Sequence, residues 1–86
     1  MNITFRQIRY FIAVAEARSV SGGSSAVGIS QSAVTDAIRT LELETGVNLF
    51  HRHAKGVTLT REGHQFLRHA RSIIGAISDM GRGVGA

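Results

Sequence analysis

The sequence contains no cysteine and no long run of apolar residues. Without cysteine the chain can form neither a disulfide scaffold nor a thiolate zinc site, and it has no cysteine nucleophile. The longest uncharged run, residues 19–35, has 17 residues and is rich in Gly and Ser, whereas a membrane span needs roughly 20 apolar residues. Charged residues also interrupt the N-terminal segment where a signal peptide would be apolar. We therefore expect a soluble, cytoplasmic protein that does not contact a membrane.

Constellations of catalytic or metal-binding residues are also missing. The serines have no identifiable base with an orienting acid, and Glu42 and Glu44 point apart on a predicted helix. His51 and His53 would project to one side of a strand, but no third ligand lies nearby in the sequence, so surface polar residues are the better interpretation. We expect no enzyme activity, no cofactor and no metal.

The chain has 86 residues, with ten Lys and Arg against six Asp and Glu, and a net charge of +4. A chain this short buries only about 60–65% of the surface that its unfolded form exposes, which leaves room for one thin core. The charge is unevenly distributed. Residues 30–44 carry one basic and three acidic side chains, a net charge of −2, whereas residues 51–61 carry three basic side chains and no acid.

Capping signals predict three helices before residue 50. Thr4 and Gln7 form a capping box that starts a helix at residue 5, which should run to about residue 17. Residues 20–28 would be a loop by propensity, but Ser21 as N-cap and Gly28 as C-cap favour a short helix. Ser30 caps the third helix, whose apolar positions 34, 38 and 41 form one buried stripe and which ends at residue 46.

The period of the pattern changes after residue 48. Residues 49–52 and 57–60 are β-prone and flank a four-residue connection, which predicts a small hairpin. Thr60 then caps a last helix, and we expect the tail from Gly81 to Ala86 to fray. The apolar positions of this helix either pack in the core or form a seam with a second copy; they are Phe66, Leu67, Ala70, Ile73, Ile74, Ile77 and Met80.

The order helix, short helix, turn, helix, hairpin, long helix indicates a mainly α winged helix-turn-helix fold followed by a long linker helix. Two helices joined by a short turn with Gly, the second of which carries a polar face, are typical of a motif that inserts its second helix into the DNA major groove. The hairpin would be the wing.

The sequence resembles the N-terminal part of LysR-type transcriptional regulators. The matching motifs occur in order and in register over about 60 residues; they are Phe5-Arg6-Gln7-Ile8-Arg9-Tyr10-Phe11, Val14-Ala15-Glu16, Ile29-Ser30-Gln31-Ser32-Ala33-Val34-Thr35, Ile38, Leu41-Glu42, Gly46-Val47, Leu49-Phe50, Arg52 and Leu59-Thr60-Arg61-Glu62-Gly63.

The resemblance implies a winged helix-turn-helix DNA-binding domain over residues 1–60, with the helix-turn-helix at about 20–40 and the wing at about 49–60. A linker or dimerisation helix and the frayed tail would occupy residues 61–86. It also implies a homodimer through this helix, possibly a tetramer in a full-length parent. Family members are usually about three times longer and bind a small-molecule effector in a further domain, which we do not expect in this chain.

The resemblance also implies that the polar face of the third helix and the wing contact double-stranded DNA. Gln31 can bond adenine bidentately, Arg39 can bond guanine or a phosphate, and the methyl group of Thr35 can touch a thymine methyl. The alternative is an ordinary solvated face and a soluble hairpin edge. The predicted DNA-binding residues are Ser30, Gln31, Ser32, Ala33, Thr35, Asp36, Arg39, Arg52 and Lys55.

Two departures from the family pattern and one rival function complete the predictions. The family favours two alanines where this chain has Gly23-Ser24, so the first helix of the motif should be looser than usual. Asp36 stands where many members carry Arg or another polar residue, and it either accepts from a cytosine amine or points at a neighbouring Arg. The rival function is a protein-interaction or dimerisation module, built on the last helix, that does not bind DNA.

Overall fold

A computed structural model describes residues 1–85, which form four α-helices and one two-stranded antiparallel hairpin. This is the predicted mainly α, winged helix-turn-helix architecture with a long last helix. The elements are α1 (Phe5–Ala17), α2 (Val20–Val27), α3 (Gln31–Thr45), β1 (Phe50–His53), β2 (Gly56–Leu59) and α4 (Arg61–Gly85).

The first helix begins where the capping box predicts. The amide of Gln7 donates to the hydroxyl of Thr4 at 3.1 Å, and the amide of Thr4 donates to the side-chain carbonyl of Gln7 at 2.9 Å. These two bonds satisfy amides that a helix start leaves without partners. The buried face consists of Ile8, Phe11 and Val14.

The segment after α1 is a helix, and its cap differs from the predicted one. The hydroxyl of Ser19, rather than that of Ser21, accepts from the amide of Gly22 at 2.9 Å, so α2 begins at Val20. Gly28 ends α2 in the left-handed conformation at φ 75°, as predicted.

The close approach of α2 to α1 explains why this glycine-rich segment is helical, while its looseness relative to the family stays a prediction. Gly23 is buried, and a Cβ atom there would stand only 2.9 Å from the Cα and N atoms of Val14. Ser24 is also buried, and its hydroxyl donates to the carbonyl of Ser21 at 2.9 Å. Tertiary packing therefore overrides the weak helix propensity of glycine.

The third helix has the predicted start, stripe and end. The hydroxyl of Ser30 accepts from the amide of Ala33 at 3.2 Å. Gly46 ends the helix at φ 74°. The residues that α3 buries are Val34, Ala37, Ile38 and Leu41.

Both strands of the hairpin differ from the prediction by one residue: β1 lies one residue later than predicted, and β2 one residue earlier. His53 pairs with Gly56, so the turn has two residues, Ala54 and Lys55, rather than four. Gly56 has φ 134°, and a Cβ atom there would overlap the carbonyl oxygen of Arg18. That same oxygen accepts from the amide of Val57 at 3.0 Å. The turn between α1 and α2 thus fixes the register of the wing.

The core is centred on Phe11, which contacts aromatic rings from the wing and from the last helix. Its ring centroid lies 5.1 Å from that of Phe50 and 4.9 Å from that of Phe66, the latter edge-on. Such tilted and edge-on pairs are favoured geometries for aromatic rings. One core therefore joins α1, β1 and α4.

The last helix is capped as predicted but extends further. The hydroxyl of Thr60 accepts from the amide of Gly63 at 2.9 Å. The structure places residues 81–85 in α4, which continues through Gly85, and Ala86 lies outside the described residues; fraying of these last turns stays a prediction. Arg82 forms a salt bridge with Asp79 and a hydrogen bond with Ser78 one turn earlier, and these contacts support the last turns.

Candidate nucleic-acid interface

The outer face of α3 is a continuous exposed polar surface. Gln31, Ser32, Ala33, Asp36 and Arg39 are exposed, and Thr35 is half-buried. Ser32, Asp36 and Arg39 share the face opposite the buried stripe because side chains three and four residues apart lie on one face of a helix. Gln31 and Thr35 flank this face on one side and Ala33 on the other. The structure thus brings together all the candidates that the sequence placed on this helix.

The first turn of α3 carries the polar groups of this face that suit a phosphate. The hydroxyl of Ser30 lies 3.3 Å from that of Ser32 and also caps the helix. Amides in the first turn of a helix have no carbonyl partner within the helix, and the helix dipole favours a negative charge there. This end of α3 therefore offers hydrogen-bond donors and a partial positive charge.

Asp36 faces a neighbouring arginine. Its carboxylate lies 3.9 Å from the guanidinium of Arg39, and both side chains are largely exposed. An exposed pair of this kind contributes little to stability, so either partner can leave it at small cost. Of the two predicted roles for Asp36, the structure shows the contact with a neighbouring Arg.

The wing concentrates positive charge at its tip. Arg52 lies exposed on β1, and Lys55 lies in the two-residue turn, where its amide bonds the Nδ1 atom of His53 at 3.3 Å. No acidic residue occurs between residues 51 and 61. The predicted residues of the wing are therefore accessible, and they lie on a different element from the polar face of α3.

Glu42 ties α3 to the wing, a role that sequence reasoning missed. Its carboxylate accepts from the amide of Leu49 at 2.8 Å, across the connection that leads into β1. The carbonyl of Leu49 in turn accepts from the amide of Thr60 at 3.0 Å, and the hydroxyl of Thr60 donates to the carbonyl of Asn48 at 2.6 Å. One signal in the sequence could have indicated this role. Glu42 lies in the last turns of α3, where a carboxylate interacts unfavourably with the helix dipole unless a nearby amide binds it.

The apolar stripe of α4 divides into two parts. Leu67 and Ala70 are buried and Phe66 packs against the core, so these three residues support the core-packing alternative. Ile73 and Ile77 are 44% and 42% exposed. Two further exposed residues continue their face toward the end of the helix, Met80 at 66% and Val84 at 87%.

Ile74 lies beside this exposed stripe and faces the body of the domain. It lines an apolar hollow with Phe5 and Ile12 of α1 and Val27 of α2. Ile74 is itself half-buried. The predicted dimerisation residue therefore borders the space between α4 and the first two helices.

Across residues 1–85, no three His, Asp or Glu side chains cluster closely enough to hold a metal ion. Among the helices of the same residues, none combines the length and the apolar character that a membrane span requires.

A family model described as "Bacterial regulatory helix-turn-helix protein, lysR family" matches residues 5–64. The chain belongs to this lysR family. The match covers α1, the helix-turn-helix, the wing and the start of α4, which confirms the resemblance seen in the sequence.

Similar proteins include two named regulators from pseudomonads. The chain is 43% identical over 70 residues to the HTH-type transcriptional regulator TcbR of Pseudomonas sp. (strain P51). It is 46% identical over 70 residues to the HTH-type transcriptional regulator ClcR of Pseudomonas putida. Each alignment covers 81% of this chain but 24% of the relative, so the chain spans about a quarter of the length of these proteins.

Solved structures of the family superpose closely on this fold. The CbnR DNA-binding domain in its DNA complex matches with a TM-score of 0.85 and 38% identity, covering 98% of this chain and 100% of that one. The BenM DNA-binding domain in complex with benA site 1 DNA matches with a TM-score of 0.86 and 32% identity, covering 91% of each chain. The fold of this chain is that of a LysR-type winged-helix DNA-binding domain.

Proposed function

We propose that this chain binds double-stranded DNA sequence-specifically, as the DNA-binding domain of a LysR-type transcriptional regulator. The observation that carries this proposal is the likeness of nearly the whole fold to two domains whose structures contain DNA. The exposed polar face of α3 would enter the major groove, and the basic wing would bind the phosphate backbone.

The two surfaces differ in charge, and this difference supports separate roles. The helix segment from residue 30 to 44 has a net charge of −2, so it does not attract DNA by charge alone. Hydrogen bonds from Gln31 and Arg39 to base edges would supply selectivity there. Residues 51–61, which are the wing and the first residue of α4, carry three positive charges, and phosphate contacts of that kind supply salt-dependent affinity for any sequence.

We also propose that the chain works as a homodimer through the exposed part of α4. Ile73, Ile77, Met80 and Val84 are spaced four, three and four residues apart, the repeat of a two-helix seam. In the described part of α4, no charged residue lies on this face between its members, and Asp79 and Arg82 pair with each other on another side of the helix. Two copies would then present two α3 helices to successive turns of the major groove.

The biological setting follows from the same proposal. The chain would act in the bacterial cytoplasm by binding rather than by catalysis, since its named relatives are transcriptional regulators. Response to a small-molecule effector, and assembly beyond a dimer, would be properties of a longer protein.

Selection from a random double-stranded DNA library, followed by fluorescence anisotropy on the enriched duplex and on a scrambled duplex, tests the proposal. We expect an enriched inverted repeat and a preference for it that persists as salt weakens both complexes. Loss of all preference at every salt concentration, with self-association retained, would instead support a protein-interaction module built on α4.

A further inference from the structure

Arg18 adopts a backbone conformation that its side chain makes costly. It lies in the turn between α1 and α2 at φ 59° and ψ 23°, and it is the one residue other than glycine among residues 1–85 with a positive φ. The left-handed region suits glycine, whereas an L-residue crowds its own backbone there. Strain of this kind is found at functional sites, provided that the surrounding structure holds it in place.

Two backbone contacts hold Arg18 against β2, next to the turn at the tip of the wing. Its carbonyl oxygen accepts from the amide of Val57 at 3.0 Å, and Gly56 lies so close that only a residue without a Cβ atom fits there. The side chain of Arg18 takes no part in these contacts. It is exposed and makes no hydrogen bond or salt bridge with any residue of the described range 1–85. The strained conformation therefore presents a guanidinium that the free protein does not use.

A hollow of about 350 Å³ lies beside Arg18, between the end of α1, the strand β2 and the first turn of α4. Its polar lining is made by Arg18, Thr58 and His64, which supply a guanidinium, a hydroxyl and an imidazole. Among the described residues, no acidic side chain lines it. All three polar groups can donate hydrogen bonds, and one of them is always positively charged. The hollow is thus suited to an anion.

We propose that this hollow receives a phosphate of the DNA backbone, with the guanidinium of Arg18 as the principal contact and Thr58 and His64 as additional donors. This inference rests on the proposed function. It adds the turn between α1 and α2 to the DNA-contacting surface, beyond α3, Arg52 and Lys55. The bond from Val57 to Arg18 keeps this contact in register with the wing, so both would bind one continuous backbone.

The open shape of the hollow favours a phosphate that belongs to a polymer. A single permanent charge on an open surface gives little affinity for a free phosphate ion in water. The same contact becomes effective when the wing holds neighbouring phosphates and the DNA is already bound. A charge-assisted bond between a guanidinium and a phosphate is also the strongest type of contact that this surface offers.

The variant Arg18→Gly separates DNA binding from folding, because its expected effects have opposite signs. Glycine relieves the backbone strain, so the thermal midpoint should be unchanged or higher. Affinity for the selected duplex and for a scrambled duplex should fall alike, by about tenfold at about 0.1 M salt. The dependence of log K on log salt should flatten by about 0.9, the value for one phosphate contact. Arg82→Gln, which removes the same charge near the far end of α4, is the matched control and should leave the slope unchanged.

Unchanged affinity and slope for Arg18→Gly would overturn the inference while leaving the proposed function intact. Absence of salt-dependent DNA binding by the wild-type chain would overturn both. If Arg18→Gly fails to fold, Arg18→Asn replaces it, since Asn tolerates the left-handed region. A loss of affinity by Arg18→Asn that appears only together with a loss of folded protein would also refute the phosphate contact.

Discussion

Gly63 lies where the first turn of α4 crosses the connection between α3 and β1, and an alanine there tests this crossing. An added Cβ atom would overlap the carbonyl oxygen of Leu49 and stand 3.0 Å from its carbonyl carbon. These are backbone atoms, so they cannot move aside by a side-chain rotation. The same carbonyl already accepts from the amide of Thr60 at 3.0 Å, so moving it breaks a hydrogen bond.

The expected cost of Gly63→Ala follows from three contributions. Overpacking of this kind costs about 1–3 kcal/mol, and disturbing the cap at Thr60 adds about 1 kcal/mol. The better helix propensity of alanine returns about 1 kcal/mol. We expect a net loss of about 1–3 kcal/mol, which in a domain of this size lowers the thermal midpoint by roughly 4–8 °C per kcal/mol.

The same substitution at Gly75 is the matched control in the same helix. Apart from the adjoining turns of α4 itself, no atom of residues 1–85 lies within 4 Å of a Cβ atom built there. Gly75→Ala should therefore raise the stability by about 1 kcal/mol through helix propensity alone. Both variants are measured by far-ultraviolet circular dichroism in thermal and urea unfolding, at equal protein concentration because self-association also stabilises. A Gly63→Ala variant as stable as Gly75→Ala would refute the close crossing of α4 over Leu49.

Three further predictions concern the interface and its supports. Gln31→Ala should reduce the preference for the selected duplex over a scrambled one, whereas Lys55→Ala should lower the affinity for both duplexes alike and flatten the salt slope by about one unit. Anisotropy titrations at several salt concentrations measure both effects. Equal losses of affinity on both duplexes for Gln31→Ala would contradict base reading. Ile77→Glu should shift sedimentation toward the monomer without changing the helix content, whereas Ser78→Glu, on the next residue, should not; a dimer that survives Ile77→Glu would rule out the proposed seam. Glu42→Ala should lower the free energy of unfolding by about 1–3 kcal/mol in urea denaturation, because it leaves the half-buried amide of Leu49 without an acceptor. Glu42→Gln should recover part of the loss. Equal stability of the wild type and both variants would show that the bond from Leu49 to Glu42 contributes nothing.

The helix boundaries that the sequence predicted depend on local chemistry. Thr4, Ser30 and Thr60 each bond an amide within three residues, so the cap is encoded where it acts. The left-handed ends at Gly28 and Gly46 are local for the same reason. The overall fold was predictable from the resemblance to the family, since the matching residues span the helix-turn-helix and the wing.

The features that the sequence could not predict depend on contacts between distant segments. The helical state of α2 needs the contact of Gly23 with Val14, and propensity counts that glycine only as a cost. The register of the wing is set by the carbonyl of Arg18, almost forty residues before the strand that it binds. Such pairings leave no trace in a local pattern.

The candidate site shows the same division. The exposed face of α3 was predictable because a helix that buries one stripe must expose the opposite one. The spacing of apolar residues in α4 could not show which of them are buried, since Leu67 in the core and Ile77 on the surface follow one repeat. They differ only in whether the rest of the domain covers that part of the helix. Likewise, Arg18 carried no signal until its backbone conformation was known.

The cap at Thr60 makes α4 a rigid lever with its fixed end at the wing. The hydroxyl and amide of Thr60 bond the two residues that lead from α3 into β1, so the start of α4 cannot move without that connection. A helix of 25 residues is about 37 Å long. A sideways displacement of about 3 Å at its far end therefore corresponds to a rotation of about 5° at Thr60. Small movements at the far end of α4 would thus reach the connection between α3 and the wing as rotations of a few degrees.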